Sequence, residues 1–269
     1  RSAFAGRRRT GNRAEDRARN KVAEQHTSPL HQFEIQPLVP IHIGHYDLSF
    51  TNSSLFMLVT VGLAALFLMG GMSNARLVPG RLQSTAELVY EFVAGMVRDN
   101  VGHEGKKYFP FVFTLFLFIL FGNLIGMVPY TFTFTSHIIV TFAMALVVFL
   151  GVTTIGFARH GLHFFSLFVP PGVPKVMLLL LVPIEMISYL IRPITLSVRL
   201  FANMMAGHTM LVIFAGFVTA LGGYFLIPGL VPLAATTAFI FLELLVAVLQ
   251  AYVFTILTCI YLHDAIHLH

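Results

Sequence analysis

Charge is what this chain has least of. Only 11% of its 269 residues are charged, while 57% are hydrophobic. A soluble domain carries about 25% charged residues, so the deficit points away from an ordinary water-soluble globule and toward a membrane. From Phe111 onward seven charged residues remain: Arg159, Lys175, Glu185, Arg192, Arg199, Glu243 and Asp264. A charge at mid-bilayer costs at least about 2.5–3.5 kcal/mol on insertion scales, so each needs a reason. The basic excess is local. Residues 1–30 hold eight Lys+Arg against three Asp+Glu, a net of +5, and the rest of the chain holds nine of each. A high pI that comes from a short arm argues against a nucleic-acid-binding domain. Cysteine is equally scarce. Cys259 stands alone, which excludes an intrachain disulfide; in its apolar run it reads as a small buried hydrophobe. There is no HExxH, no Cys/His cluster, no Gly-rich phosphate loop and no nucleophile elbow. No metal, cofactor or catalytic residue is expected.

What is present is length without charge. The opening RSAFAGRRRTGNRAEDRARN is Arg-rich but has no apolar core, so it is not a secretory signal. Residues 1–32 read as a basic, flexible arm that fits the remnant of a cleaved import sequence, and 33–269 as a membrane domain. Within that domain, 54–72 is long enough for a first span. The segment 84–99 differs: Ser84-x-x-Glu87 predicts a capping box at a helix start. Leu88, Val89, Phe92, Val93, Met96 and Val97 then recur at helical spacing between charged flanks, the pattern of an amphipathic helix lying on the membrane surface. Apolar helices follow at 109–128 and 137–158. The run 176–227 exceeds one upright span of about 20 residues, so 175–221 is expected to be one tilted, kinked helix or two segments. Gly222, Gly223, Pro228, Gly229 and Pro232 mark a break before a last helix at 232–263. The fold class is therefore an all-α integral membrane protein: one N-terminal transmembrane helix, one amphipathic surface helix, then four membrane helices of which the last two are long. Loop lysines and arginines cluster in 73–109 and 158–175, which puts the C-terminus on the inside.

The sparse polar residues fall into stripes. At 100° per residue, Glu185, Arg192, Arg199 and Asn203 lie close to one line of their helix. His208 follows Arg199 by nine residues, which is about half a turn out of phase. On the last helix Glu243 and Gln250 share a face, Asp264 falls near the same line, and Tyr252 stands to one side. Simple pairing would account for some of these groups, with Glu185 neutralising an arginine and Asn203 or Gln250 capping its donors. An arginine, a histidine that titrates near neutrality and two glutamates at membrane depth point beyond pairing, to a proton path. His263, His267 and His269 at the chain end, and His160 and His163 in a loop, read as solvated.

These residues are similar to a known family. LSVRLFANMMAGH and LELLVAVLQAYVFTILTCIYLHDAI resemble the arginine segment and final helix of subunit a (subunit 6) of the rotary ATP synthase membrane sector. GNLIGMVPYTFTFTSH and FEIQPLVPI with DLSFTNSSLFML match elsewhere, in order, from about residue 33 to the C-terminus. The chain end, with His208 and Glu243, looks most like mitochondrial versions of plant or algal flavour. The resemblance implies a non-catalytic, proton-translocating stator subunit of the mitochondrial inner membrane. Its partners would be the c-ring, the peripheral stalk, other Fo subunits and the lipid bilayer, and its last two helices would tilt along the ring. By the same resemblance Arg199 is the essential arginine and Gln250 the glutamine near it. His208 and Glu243 belong to the half-channel on the intermembrane-space side, Glu185 to the one on the matrix side, and Asn203 and Tyr252 to channel or support. A stand-alone proton-coupled secondary transporter is the alternative; it would need internal repeats with paired broken helices, and no such repeat is found.

Overall fold

A computed structural model describes residues 35, 37–40, 42–43, 46–47, 49–73, 78–128, 131–169, 174–222 and 226–267. The basic arm at 1–32 and His269 lie outside them. The described chain opens with two short antiparallel pairs. β1 (Pro37–Val39) pairs with β4 (Phe50–Thr51), and nested between them β2 (His42–Ile43) pairs with β3 (Tyr46–Asp47). Six α-helices follow: α1 (Asn52–Met72), α2 (Arg81–Val101), α3 (Phe109–Gly126), α4 (Ile138–His160), α5 (Lys175–Gly222) and α6 (Leu226–Ile266). All but α2 are long and apolar enough to cross a membrane.

The elements follow from local chemistry. The Thr51 hydroxyl accepts from Ser54 N and caps α1. α2 and α4 each stop at a glycine with positive φ, Gly102 at 80° and Gly161 at 56°, where a Cβ would be strained. The expected capping box at Ser84 does not form. α2 begins one turn earlier, at Arg81 behind Gly80, and Ser84 is inside the helix. The reason lies in α1: a Cβ on Gly70 would stand 3.3 Å from Leu82, and one on Gly71 2.8 Å from Ala86. The two glycines let α2 pack closely against α1 through its first two turns, and that contact extends it. Glu87 instead accepts from Gln83 Nε2 at 2.8 Å.

One face of α2 packs into the protein. Val93, Val97 and Val101 enter the central core, whereas Leu88 and Phe92 remain exposed. That core is shared with Val112, Phe116 and Ile119 of α3, Ala145, Val148 and Val152 of α4, Leu196 and Leu200 of α5, and Ala251, Phe254, Cys259 and Leu262 of α6. Buried Thr255 and Thr258 return their hydroxyl protons to carbonyls one turn back, which makes them tolerable there.

The segment 175–221 resolves as one helix. The 48 residues of α5 at 1.5 Å each would span about 72 Å, more than twice a hydrocarbon core of about 30 Å. Pro183 and Pro193 lie within it. α6 starts at Leu226, upstream of the expected break, so Pro228 falls in its first turn, where a missing N–H costs nothing. α5 and α6 pack against each other along their length. α3 buries Val112, Phe116, Leu117, Ile119, Gly122, Asn123 and Gly126, while α5 has few buried residues and offers most of its surface outward.

Candidate functional site

α5 carries two kinds of polar residue on two faces. Arg199 is exposed and has no hydrogen-bond or ion-pair partner among the described residues. Half a helical turn away, His208 is half-buried against the α3–α4 connection and α6. Its Nε2 lies 3.0 Å from Thr133 Oγ1 and 4.0 Å from Glu243 Oε1. Glu243 is 5% exposed, and neither carboxylate oxygen has a hydrogen-bond partner among the described residues. A buried carboxylate without a hydrogen bond is costly, so it marks a place where packing alone did not choose the residue. Gly207 makes room for it: a Cβ there would stand 2.7 Å from Glu243 Oε1. A cleft of about 220 Å³ opens beside this cluster between α5 and α6, bordered by Asn203, Gly207, Met210, Leu242 and Glu243. At about 30 Å³ each it has room for several water molecules.

One turn toward Arg199, Asn203 Nδ2 donates to Gln250 Oε1 at 2.8 Å. Gln250 is buried, and its Nε2 has no partner among the described residues. The two amides therefore satisfy each other in part, and neither caps Arg199. From the opposite side, fully buried Asn123 donates to the Ala247 carbonyl at 3.3 Å, midway between Glu243 and Gln250. α3 thereby holds the polar stretch of α6 in register.

A second cluster surrounds Arg192. Its Nη1 donates to Asp264 Oδ2 at 3.1 Å. Its guanidinium carbon lies 4.8 Å from the Tyr261 ring centroid and 5.2 Å from that of Tyr189. The Tyr189 hydroxyl in turn meets Thr153 Oγ1 at 2.7 Å. The partner that neutralises an arginine is thus Asp264 and not Glu185, which is half-buried and makes no hydrogen bond among the described residues. Tyr252 also stands apart from the cleft, its ring 5.8 Å from Phe92 of α2.

Several histidines differ from a solvated reading. His160 ends α4, and its Nε2 lies 3.0 Å from the Ile266 carbonyl at the end of α6. The next residue back, Arg159, pairs with Glu104 of the His103–Lys107 turn. The rings of His263 and His267 stack 4.6 Å apart. Among the described residues no group of three or more His, Cys, Asp or Glu side chains is placed to hold a metal ion.

Sequence reasoning missed Thr133, Gly207, Asn123 and the two tyrosines around Arg192. Thr133 had a legible signal: Thr131, Thr133 and Thr135 alternate with phenylalanine in an uncharged connection between two apolar helices. Gly207 had none beyond its place next to His208, because the atom it makes room for belongs to another helix.

Residues 54–263 match the family model described as ATP synthase A chain. The chain is 60% identical over 245 residues to ATP synthase subunit a of Paramagnetospirillum magneticum, covering 90% of this chain and 99% of that protein. It is 60% identical over 242 residues to ATP synthase subunit a of Rhodospirillum rubrum, covering 90% and 99%. The same-named protein of Parvibaculum lavamentivorans is 58% identical over 246 residues, covering 89% and 93%. All three relatives are bacterial. A chain this similar to bacterial proteins over nearly their whole length gives no ground for the mitochondrial type or the mitochondrial inner membrane expected from its sequence. What stands is a membrane protein.

Proposed function

Because the chain belongs to the ATP synthase subunit a family, and so is a proton-translocating stator subunit of the membrane Fo sector, we propose that Arg199 separates two offset half-channels. The partners that go with this reading are a ring of c subunits, each with one carboxylate, and the peripheral stalk. α5 and α6 would lie strongly tilted along the ring, which fits a helix of 48 residues that leaves most of its surface outward. The surrounding membrane domain spans 33–269, behind a basic arm over 1–32.

The observation that carries the proposal is the division of α5 into an exposed, unpaired arginine on one face and a histidine turned into a buried cluster on the other. Arg199 cannot discharge by losing its proton. A fixed positive charge favours the ionised form of a carboxylate passing nearby, so each ring carboxylate releases its proton on approach. The same charge repels hydronium between the half-channels and suppresses a short circuit. His208 and Glu243 line one half-channel beside the cleft, and Glu185 belongs to the other. Asn203 and Gln250 lie between, as amides that can donate or accept without carrying charge. Tyr252, packed on α2, supports the helix. The work is electrical as well as chemical, about 2.3 kcal/mol per charge per 100 mV. The subunit itself makes no bond in ATP.

ATP-driven proton pumping by the assembled complex tests this reading. Arg199→Ala is expected to abolish coupled pumping while subunit amount, followed on a gel, is unchanged. Normal pumping by that variant would sink the proposal.

A further inference from the structure

We propose that the cleft between α2 and the His103–Lys107 turn binds the headgroup of an anionic phospholipid in the leaflet on the inside, with Arg98 and Lys106 holding its phosphate.

The cleft has a volume of about 740 Å³, within the range of about 300–1,000 Å³ usual for small-ligand sites. Its described walls come from α2, the turn and the first residue of α3. The lining is of two kinds. Glu91, Arg98, His103 and Lys106 supply polar groups. All four are exposed, and none of their side chains makes a hydrogen bond or ion pair among the described residues. Tyr90 and Phe109 supply an aromatic surface. Their rings meet edge-on with centroids 4.9 Å apart, and Phe113 stacks on Phe109 at 5.4 Å. The fixed charges are two cations and one carboxylate, so a single phosphodiester anion brings their sum to zero.

The fold builds this cleft through two glycines. Gly102 takes a φ of 80°, which turns the chain sharply at the end of α2. A Cβ on Gly105 would stand 2.8 Å from Val97 Cγ1 and 2.9 Å from Val101 Cβ. The turn is therefore seated directly on α2, and that seat holds Lys106 and His103 to the same cleft as Arg98. Arginine can fork onto two phosphate oxygens, while lysine adds a point charge.

The depth of the cleft selects the ligand. The apolar run of α3 begins at Phe109, and Lys106 and Lys107 come just before it. The cleft thus stands where hydrocarbon gives way to headgroups. Loop cations gather on the inside, and aromatic rings favour this level of a bilayer. A free phosphate would use the cations and leave the rings bare. A phospholipid uses both, with its phosphate between Arg98 and Lys106 and its glycerol and first acyl carbons on Tyr90 and Phe109. A zwitterionic headgroup brings a cation of its own, which weakens its net attraction to the two in the cleft.

The test uses intact ATP synthase in phosphatidylcholine nanodiscs that contain a trace of phosphatidylglycerol with a photoreactive group near its glycerol. Mass spectrometry of the digested subunit then quantifies lipid adducts on residues 88–113. Adducts are expected there in the parent, displaced by unlabelled phosphatidylglycerol but not by inorganic phosphate. Each cation near a membrane surface counts for about fivefold, so Arg98→Gln and Lys106→Gln should each lower the yield by about that factor. Gly105→Ala keeps every charge but unseats the turn, and should also lower it. Glu91→Gln removes a repelling charge and should raise it. Arg81→Gln removes a charge of α2 outside the cleft and should leave the yield within about twofold. Yields are compared at equal subunit amount in the assembled complex. Four results overturn the proposal. One is the absence of adducts at 88–113 in the intact complex, as a neighbouring subunit seated in the cleft would produce. Another is full displacement by inorganic phosphate. The third is a yield unchanged by both Arg98→Gln and Lys106→Gln. The last is an effect of Arg81→Gln as large as theirs, which would mean general attraction to a basic surface. Proton pumping is not the readout, so the outcome is independent of the role given to Arg199.

Discussion

Gly207 is a residue whose value lies in an atom it does not have. A Cβ at that position would meet Glu243 Oε1 at 2.7 Å, Cδ at 3.0 Å and Cγ at 3.2 Å. The closest of the three is to the carboxylate itself, so the end of the Glu243 side chain is what must move. Gly207→Ala is expected to raise helix propensity by about 1 kcal/mol and yet to slow proton pumping, because it pushes the carboxylate away from His208. A flux assay on complexes matched for subunit content checks this. Pumping equal to the parent would mean that the Glu243 position is not critical. The arginines divide similarly at this scale. Arg192 is held by one carboxylate and two ring faces, so its charge is offset by Asp264 and its position is fixed. Arg199 has none of these restraints, and that freedom is what distinguishes two arginines seven residues apart on one line.

At the scale of elements, the two long helices are held together by a few polar ties along a seam otherwise made of apolar contact. Asn203 to Gln250 is one and Arg192 to Asp264 is another. Non-directional apolar packing lets two helices slide or rotate by small amounts; hydrogen bonds at fixed positions do not. Asp264→Asn should lower the stability of the assembled membrane sector by about 1 kcal/mol, the middle of the range for losing the charge from such a bond, since the groups are 21% and 32% exposed and solvent screens part of the interaction. Thermal inactivation of purified complex would register it as a shorter half-life, and an unchanged half-life would count against a role for this tie. Element boundaries were the least legible part of the fold. The start of α2 was misplaced because Gly70 and Gly71 of another helix decide it. The start of α6 was misplaced because Pro228 in its first turn and Pro232 inside it look, in sequence, like prolines in a loop.

For the whole molecule, the connections on one side form a polar layer that closes the bundle. Glu104 pairs with Arg159, and His160 caps the end of α6 at Ile266. The hydrogen bond from Arg159 holds the Glu104 carboxyl below its ordinary value, with attraction to Arg159, His267 and Lys107 acting in the same direction. A carboxylate whose folded value is depressed stabilises the fold above its unfolded value, and loses that contribution as pH falls through the folded one. Glu104→Gln and the parent should therefore differ at neutral pH and converge in acid below the usual carboxylate range. The difference should shrink with added salt, since the pair faces solvent. Heat inactivation at several pH values measures it, and a gap that widens in acid would contradict the assignment.

Composition and spacing by themselves determined that this is a membrane protein built of long apolar helices, and that Arg199 and His208 cannot face the same way. Each of these is a property of one helix or of a sum over residues, and helical periodicity needs no neighbour. The order of its motifs was enough to reveal the family. The partners were decided only in three dimensions: Asp264 for Arg192, Gln250 for Asn203, Thr133 for His208, and Gly207 as the space Glu243 occupies. Each joins residues at least 36 positions apart in the chain, and nothing in local spacing sets the rotation of one helix against another. That rotation comes from close packing at small residues, whose effect is to let something else in.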